Sequence, residues 1–385
     1  MSTYRFVSTD TVTGRMMCDS LPIVGQTCSR QINAVGSFSG TLTFPQNATA
    51  MQRAIWTNAL IPWKSILWVL QDGHPIWNGP ITGWPHTSLS GGNLPLQGAT
   101  MEEFFKHREI SDDLEYDNMD IFEIFRQELL YAVSKQPNGN IAGSGQFQNQ
   151  AGIVDTVEYS GVLGSVTESA SRKKIYDAWS DLVTTYLMEY TLAPAMTDGG
   201  SLYTVAQLGL PQMGRTYDQT GFQLIVPSEH MQDYGWQWTP TDPANKFTVT
   251  GTGTTEAFVI VGIAEPEMIQ GFPLLENSGS YNGTVTSEAQ IINYTIGSMY
   301  STSILGNLTP IVLAGAGQYP AIKDTLLGDE MYFIGTSDLH PAGPNGVPGI
   351  TQLFQMTGWT LNFPTGDQAE QTSWQLGALV EGPLT

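Results

Sequence analysis

The stretch WVLQDGHPIWNGPITGWP, residues 68–85, combines three tryptophans and three prolines with a single acidic residue. Apolar segments flank Asp72-Gly73, a dipeptide that favours the tight turn of a β-hairpin. The stretch therefore predicts a hairpin with Trp68 and Trp77 close to its turn. Cross-strand aromatic pairs align and stabilise hairpins, so we expect these rings to hold strands together rather than to line a ligand site.

The composition of the whole chain indicates a β-rich protein with extensive contact surfaces. Its 385 residues include 41 glycines and 22 prolines, and only 13% of them are charged, about half of the ~25% typical of soluble domains. Glycine and proline separate short strands, whereas a free monomer normally carries more surface charge for solubility. We therefore expect a component of a larger assembly.

The charge balance excludes several classes of partner. The chain has 36 acidic and 15 basic residues, a net charge of −21, and phosphate contacts require Lys and Arg. We therefore expect no stable binding to nucleic acid or to anionic membranes. No apolar segment approaches the ~20 residues of a membrane span. The first residues, MSTYRFVSTDTVTG, lack the basic and apolar regions of a signal peptide.

Hydrophobic periodicity divides the chain into three predicted modules. Residues 1–100 contain alternating segments such as GSFSGTLTF, which are typical of short strands. Residues 101–245 are predicted to form a helical or mixed insertion with returning strands. Residues 246–385 are predicted to form a second β module that contains one helix.

Two helices are predicted within the insertion. The first has an apolar residue at every fourth position, the spacing of a buried helix face, in Ile121, Phe125, Leu129 and Val133. Asp117 and Asp120 are expected at its start, where carboxylates complement the helix dipole. The second helix is expected to enter at Ser169 or Ser171 and to end at Pro194.

Two further segments carry local signals. Ser287 and Gln290 have the spacing of a capping box and predict the start of the helix in the last module. Between the two helices of the insertion, residues 136–152 are rich in Gly, Asn and Gln. Such a segment offers little apolar area to offset the entropy of ordering it, so we expect a loop that a neighbouring subunit orders.

No pattern of catalytic, cofactor-binding or metal-binding residues is apparent. The histidines and cysteines lie far apart and match no metal-binding or nucleophile motif; they are His74, His86, His107, His230, His340, Cys18 and Cys28. We therefore predict no catalytic site, no cofactor and no bound metal, and we expect both thiols to be free in a reducing compartment.

The sequence leaves one alternative open, a carbohydrate-binding or glycan-cleaving protein. Trp236 and Trp238 lie on the same side of a predicted strand, where they could stack on a sugar ring. Glycosidases hold two carboxylates about 5–10 Å apart, and one acidic cluster could supply them: Asp112, Asp113, Glu115, Asp117, Asp120 and Glu123. A solvated helix start and buried tryptophans explain the same residues without chemistry. We therefore expect no enzyme, and a cleft joining the tryptophans to the carboxylates would favour the alternative.

Seven short segments carry a resemblance to a known family. Through these segments, which occur in the same order in that family, the chain resembles minor tail proteins of siphophages that infect actinobacteria. The family is similar to baseplate hub and tail-tip proteins. The similarity extends from about residue 4 to residue 385. The segments are GSFSGTL (36–42), LWVLQDGHPIWNGPITGW (67–84), LQGA (96–99), LGLPQMGRTYD (208–218), GWQWT (235–239), ANKFTVTGTG (244–253) and GFPLLE (271–276).

The resemblance implies a fold and a place in the virion. The implied fold is α+β and β-rich, with two tube-type β-barrel-like domains, 1–100 and 246–385, around an α-containing insertion, 101–245. The chain is then expected to act as a non-enzymatic baseplate hub at the distal end of the tail. Its expected partners are copies of itself in a homotrimeric ring, the distal tail protein, the tape measure protein and other minor tail proteins. The family offers no catalytic residues to transfer.

A hub that continues the tail tube would surround the path of the DNA. Each phosphate contact made by Lys or Arg adds affinity through counterion release, and DNA that adheres to the wall would leave slowly. Given the net charge of −21, we expect the channel wall to carry more Asp and Glu than Lys and Arg.

Overall fold

A computed structural model describes residues 2–85, 93–134, 153–155, 159–168, 172–226, 228, 231–238, 244–253, 257–263, 273–285, 291–292, 294–296, 298–299, 308–315, 320–338, 341–365, 369–377 and 379. The strands before the last helix of the insertion are β1 (Tyr4–Asp10), β2 (Met16–Cys18), β3 (Ile23–Gln31), β4 (Ser37–Thr43), β5 (Ser65–Gln71), β6 (His74–Gly83), β7 (Asn93–Ala99), β8 (Leu114–Asp120), β9 (Ile153–Asp155) and β10 (Leu163–Glu168).

The later strands are β11 (Glu189–Met196), β12 (Leu202–Gly209), β13 (Gln223–Val226), β14 (Met231–Trp238), β15 (Lys246–Gly253), β16 (Ala257–Ile263), β17 (Glu276–Val285), β18 (Leu308–Gly315), β19 (Glu330–Gly335), β20 (Ile350–Asn362) and β21 (Gln371–Gly377). The α-helices are α1 (Ala50–Asn58), α2 (Glu102–Phe105), α3 (Ile121–Ser134), α4 (Ile175–Tyr186) and α5 (Tyr217–Thr220), and short 3₁₀ turns span Ile322–Asp324 and Pro344–Gly346.

Thirteen strands form one large sheet that joins the two ends of the chain. Its main path runs β14-β18-β21-β20-β3-β4-β7-β6-β5-β1-β2, with β19 pairing β20 and β13. The two ends meet where residues 27–31 of β3 pair antiparallel with residues 358–362 of β20. The predicted β-rich α+β fold is confirmed, and its two β-rich ends share a single sheet.

Two hydrophobic cores lie on opposite faces of this sheet. The first, which we call the hub core, draws on both ends of the chain and includes Trp77, Phe333 and Trp374. The second, which we call the insertion core, contains the helices α3 and α4. The strand β5 is buried along its whole length, because one core covers each of its two faces.

Residues 68–85 contain the predicted hairpin, which is formed by β5 and β6. Asp72 and Gly73 both have positive φ, 51° and 89°, as a two-residue type I′ turn requires. Trp77 belongs to the hub core and Trp68 to the insertion core, so the two rings pack on opposite sides of the sheet. Trp84 is partly buried and donates from Nε1 to the carbonyl of Leu60 (2.9 Å). Trp68 and Trp77 therefore pack the two faces of the hairpin against the two cores.

The insertion core is built around Trp179 of α4. Its ring lies 4.4 Å from that of Phe125, 4.6 Å from that of Phe105 and 5.4 Å from that of Tyr190, centroid to centroid. The predicted helix face is confirmed on α3, where Ile121, Phe125, Leu129 and Val133 are all buried. Aromatic and aliphatic burial on this scale is what holds the helices against the sheet.

The predicted end of the second helix is wrong. Helix α4 stops at Tyr186, because Leu187 adopts the left-handed conformation with φ 58°. Pro194 lies inside β11, opposite Thr204 of β12. The proline was interpreted as a helix stop, but the chain has already turned into a strand before reaching it. The candidate entry residues Ser169 and Ser171 lie outside the described residues.

A smaller unit follows the insertion in the chain. Strands β16, β15 and β17 form a three-stranded sheet, and Phe247, Val249 and Ile291 form its small core. Residues 291–292, 294–296 and 298–299 are helical, where a helix was predicted; its proposed capping residues Ser287 and Gln290 lie outside the described residues, as does the loop 136–152.

The predicted domain boundaries at 100/101 and 245/246 stay predictions. The hydrophobic cores do not coincide with the predicted modules. Phe222 and Leu224 fall in the predicted insertion but contribute to the hub core. Strand β13 pairs in parallel with β19 of the last module. The segment 213–226 therefore packs with the hub core, after the chain has left the insertion.

A polar junction holds the insertion to the hub core. The carboxylate Oε2 of Glu189 accepts hydrogen bonds from the backbone N–H of Met213 (2.8 Å) and from Nε2 of Gln355 (2.7 Å). Burial raises the pKa of Glu189 to about 7, although both hydrogen bonds oppose the shift. The carboxyl is thus held largely protonated below neutral pH, at the contact between β11 and β20.

We expect Glu189→Gln to flatten the pH dependence of stability. Because the pKa of Glu189 is raised in the folded state, its stabilising contribution is complete below the unfolded pKa and is lost as pH rises through about 7. An amide oxygen can accept the same two hydrogen bonds without a charge. Between pH 5 and pH 8, the free energy of unfolding in urea should fall by about 2 kcal/mol less in the variant than in the wild type. Glu115→Gln, at an exposed position, should keep the wild-type dependence; equal slopes in all three proteins would contradict the assignment.

Candidate functional site, an uncharged face of the large sheet

The central strands of the large sheet present two different faces. Buried and accessible residues alternate along β4 and β21, along β3 with one break at Gln26 and Thr27, and at the end of β20 over residues 359–362. The buried side packs into the hub core through residues such as Phe38, Leu361 and Trp374. The accessible side, which we call the hydroxyl face, is turned away from that core.

The hydroxyl face is formed by aligned rows of small polar side chains. In one row Ser373, Thr360 and Ser29 lie opposite one another on β21, β20 and β3. The face comprises Val24, Thr27, Ser29 and Gln31 of β3, Ser37, Ser39, Thr41 and Thr43 of β4, Asn93, Pro95, Gln97 and Ala99 of β7, Thr360 and Asn362 of β20, and Gln371, Ser373 and Gln375 of β21.

None of these residues is charged. A soluble surface of this size would ordinarily carry about four charged side chains. Exposed charged residues occur elsewhere on the described chain, for example Arg5, Arg53 and Asp117. The face is therefore neutral within a strongly acidic protein.

The hydroxyl groups of this face bond to one another. Thr27 Oγ1 and Ser39 Oγ are 3.0 Å apart, and Ser29 Oγ and Ser37 Oγ are 3.1 Å apart. Cross-strand pairs of Ser and Thr stabilise a sheet modestly, and they leave the surface wettable without a fixed charge. Chemically, the face can hydrogen-bond weakly to water or solutes, but it holds no cation for a phosphate.

Part of this face could have been found from the sequence. Ser37, Ser39, Thr41 and Thr43 alternate with apolar residues in SFSGTLT, a pattern that predicts one polar and one buried side. The alignment of that strand with Thr360 and its neighbours depends on the pairing of distant segments. No local signal predicts that pairing.

The residues of the acidic cluster are divided among the segment before β8, β8 itself and α3. Helix α3 begins at Ile121 and Asp117 lies on β8, so the predicted place of Asp117 at the helix start is wrong. That of Asp120 is confirmed: its Oδ1 accepts from the backbone N–H of Phe122 (3.0 Å). Burial alone would raise the pKa of Asp120, but hydrogen bonds from Ser160, Gly161 and Phe122 outweigh it and lower the pKa.

Other members of the cluster have structural partners. Asp112 accepts a hydrogen bond from the hydroxyl of Tyr131 (2.7 Å), and Asp117 accepts one from Ser165 Oγ (2.9 Å). Glu123 is paired with Arg126 one turn along α3, and that hydrogen bond lowers its pKa. These carboxylates anchor β8, β10 and α3. The side chains of Trp236 and Trp238, the sugar-stacking candidates, lie outside the described part of the chain.

The candidate metal ligands are also dispersed. No group of three or more His, Cys, Asp or Glu residues in the described ranges is placed to hold a metal ion. His107 packs edge-on against Trp63, with ring centroids 4.6 Å apart, and His74 begins β6; His86, His230 and His340 lie outside the described residues. Cys18 and Cys28 are free thiols. Within the described ranges, no helix has the length and apolar character needed to cross a membrane.

Solved structures provide the comparison for this fold. The chain is similar to the tail protein from Neisseria meningitidis MC58, with a TM-score of 0.59, 13% identity, and coverage of 97% of this chain and 96% of that one. It is similar to the 43 kDa tail protein of prophage MuSo2 from Shewanella oneidensis, with a TM-score of 0.58, 10% identity, and 98% of both chains covered. The chain has the fold of phage tail proteins.

A third comparison extends this likeness to another host. The prophage tail protein gp18 from Listeria monocytogenes matches with a TM-score of 0.51 and 10% identity, covering 96% of this chain and 94% of that one. No protein-family model and no curated protein matches the sequence. The predicted phage-tail fold is confirmed over nearly the whole chain, although at these identities the likeness is one of fold.

Proposed function

We propose that this chain is a non-enzymatic structural component of a phage tail, acting as the baseplate hub at the distal end of the virion. The observation that carries the proposal is the uncharged hydroxyl face, on a fold that phage tail proteins share from end to end. In this proposal the hub continues the tail tube and the hydroxyl face lines the channel through which DNA leaves. The segments quoted above favour a siphophage of actinobacteria as its source.

The chemistry of the hydroxyl face suits such a wall. A duplex carries one negative charge per ~1.7 Å of its axis, and it adheres to surfaces through Lys and Arg. The expectation from net charge was a wall with more Asp and Glu than Lys and Arg. The hydroxyl face has neither, and a neutral, hydrated wall meets the same requirement because it offers phosphates no cation. It also avoids repelling the DNA as it enters a narrow channel.

The proposed assembly is a ring of three copies. Closed rotational symmetry is the usual solution for such assemblies, and a charge content of only 13% leaves much surface suitable for burial. The proposed neighbours are the distal tail protein, the tape measure protein and other minor tail proteins. DNA passes through this ring without stable binding.

We expect a lysine on the hydroxyl face to slow DNA release. Virions that carry Thr360→Lys should assemble, but their DNA ejection in vitro should slow on the order of tenfold at 50 mM salt and recover toward 200 mM, because each phosphate contact adds to the salt dependence. Time-resolved dye entry into released DNA measures the rate.

Two controls separate charge from disruption of the fold. Thr360→Asn places an uncharged side chain at the same position, and Thr184→Lys places the same charge on an exposed residue of α4; both should eject DNA at the wild-type rate. If Thr360→Lys ejects normally at low salt, the hydroxyl face is not the channel wall. A reconstruction of the tail tip with this face turned outward would lead to the same rejection.

A further inference from the structure

A cavity of about 390 Å³ lies where the insertion meets the hub core. Its walls come from the end of β11, the start of β6, the 3₁₀ turn Ile322–Asp324 and Trp359 of β20. A volume in this range is sufficient for a small ligand or a few side chains of a partner. The cavity is distinct from the hydroxyl face, because Trp359 belongs to the hub core on the other side of the sheet.

Arg30 gives this cavity an unusual chemistry. Only 8% of its surface is exposed, and Nη2 donates hydrogen bonds to Thr191 Oγ1 (2.8 Å) and to the carbonyl of Leu192 (3.3 Å). No carboxylate among the described residues lies within ion-pair distance of the guanidinium, and Nε and Nη1 donate no hydrogen bond to them. Neither nitrogen is fully enclosed without a partner, and Arg30 lines the cavity. We infer that the solvent access of these two nitrogens is through the cavity.

The burial of Arg30 affects the pKa of its guanidinium group. Burial lowers the pKa of Arg30 to about 10, while the charge of Glu102 opposes the shift. Glu102 contacts the same two residues of β11 as Arg30. Its Oε1 accepts hydrogen bonds from the backbone N–H of Leu192 (2.8 Å) and from Thr191 Oγ1 (3.4 Å). Arg30 thus remains a buried cation at neutral pH. Burial of a cation costs free energy unless the cation is paired and hydrogen-bonded.

The charges that line the cavity are unusual for this protein. Arg30 and Lys323 are basic and Asp198 is acidic. The basic side chains of the lining therefore outnumber the acidic one, in a chain whose net charge is −21. Because the nearby charge of Glu102 already balances part of the charge of Arg30, a singly charged anion fits this partly enclosed space better than a doubly charged phosphate.

We propose that this cavity binds a carboxylate group carried on a short apolar chain. The planar fork of an arginine matches the two oxygens of a carboxylate, and the apolar wall formed by Pro75, Ile76 and Ala193 suits the methylene groups attached to it. The carboxylate belongs either to a free organic acid or to the Asp or Glu side chain of a partner polypeptide. This inference does not depend on the channel, and its failure leaves the proposed function untouched.

The test uses the full chain and two probes. Sodium butyrate represents the free acid, and the capped peptide Ac-Ala-Glu-Ala-NH₂ represents the side chain, with Ac-Ala-Gln-Ala-NH₂ and sodium chloride as matched controls. Calorimetric titration should show a dissociation constant on the order of millimolar for at least one carboxylate probe. Binding of butyrate alone identifies a free acid, and stronger binding of the glutamate peptide identifies a polypeptide partner.

Variants locate the binding site. Arg30→Met should weaken binding by more than about tenfold, because charge-assisted hydrogen bonds are lost. If that variant unfolds, Lys323→Met at the rim of the cavity should still weaken binding about threefold, while Lys64→Met, an exposed lysine outside the lining, should leave it unchanged. The proposal is overturned if neither carboxylate binds more tightly than its control, or if Lys323→Met and Lys64→Met behave alike.

Discussion

Replacement of Gly214 by alanine is expected to lower the free energy of unfolding by more than about 4 kcal/mol. Gly214 has φ +91° and faces the backbone of a second glycine, Gly328. A Cβ atom at position 214 would lie 2.1 Å from the carbonyl carbon of Gly328 and 2.4 Å from the nitrogen of Asp329. Because backbone atoms cannot rotate away as a side chain does, the two segments would have to separate.

The loss should spread beyond the glycine itself. Asp329 is paired with Arg215, with 2.6 Å between Oδ2 and Nη2, and it also accepts a hydrogen bond from the backbone N–H of Arg215 (2.9 Å). Separation of the two segments would break this pair and leave a buried carboxylate without its partner.

A matched control distinguishes crowding from backbone strain. Gly200 also has positive φ, +81°, but a Cβ atom there would meet nothing within 4 Å. Gly200→Ala should therefore cost only the ~1–2 kcal/mol of a left-handed alanine. Urea unfolding monitored by tryptophan fluorescence measures both variants. Similar losses at the two positions would show that the close approach of Gly214 to Gly328 is unimportant.

Replacement of Trp77 by alanine is expected to cost about 4 kcal/mol. The Trp77 side chain is fully buried, its ring lies 5.3 Å from that of Phe38, and its Nε1 donates a hydrogen bond to the carbonyl of Ser29 (3.1 Å). Truncation removes the largest side chain on that part of the sheet and leaves a cavity between β6 and β4.

Another tryptophan provides the comparison for this prediction. Trp63 is 38% exposed and contacts His107 at the surface, so Trp63→Ala should cost about 1 kcal/mol or less. Equilibrium unfolding in urea, followed by circular dichroism, compares the two variants with wild type. A loss at position 77 no larger than that at position 63 would mean that Trp77 does not organise the hub core.

Local signals in the sequence predicted the elements that depend on neighbouring residues. The Asp72-Gly73 turn, the apolar face of α3 and the capping role of Asp120 all depend on residues a few positions apart. Composition and the ordered segments indicated a β-rich tail protein. Pro194 does not end a helix as predicted, because a proline that can end a helix can also lie in a strand at a position that does not donate to its neighbour.

The remaining features depend on contacts between distant segments. Nothing near Thr27 indicates that it lies beside Asn362, so the extent of the hydroxyl face could not be predicted. The cavity at Arg30 has the same origin, because Ala193 and Lys323 line it from different modules. A charged side chain on a strand is ordinarily exposed, and it is the contact of Arg30 with Thr191 and Leu192 of β11 that makes it a buried cation.

The pairing of β3 with β20 has a consequence for biosynthesis. Thr27 emerges from the ribosome more than three hundred residues before its partner Asn362, so the large sheet cannot close until residue 362 has been synthesised. Contacts of such long sequence separation form slowly, and meanwhile one edge of β3 stays open on the nascent chain. An open edge invites pairing with other chains unless its side chains discourage aggregation. Strand β3 carries two features that oppose such pairing, the charge of Arg30 and a β-bulge between Gly25 and Thr27.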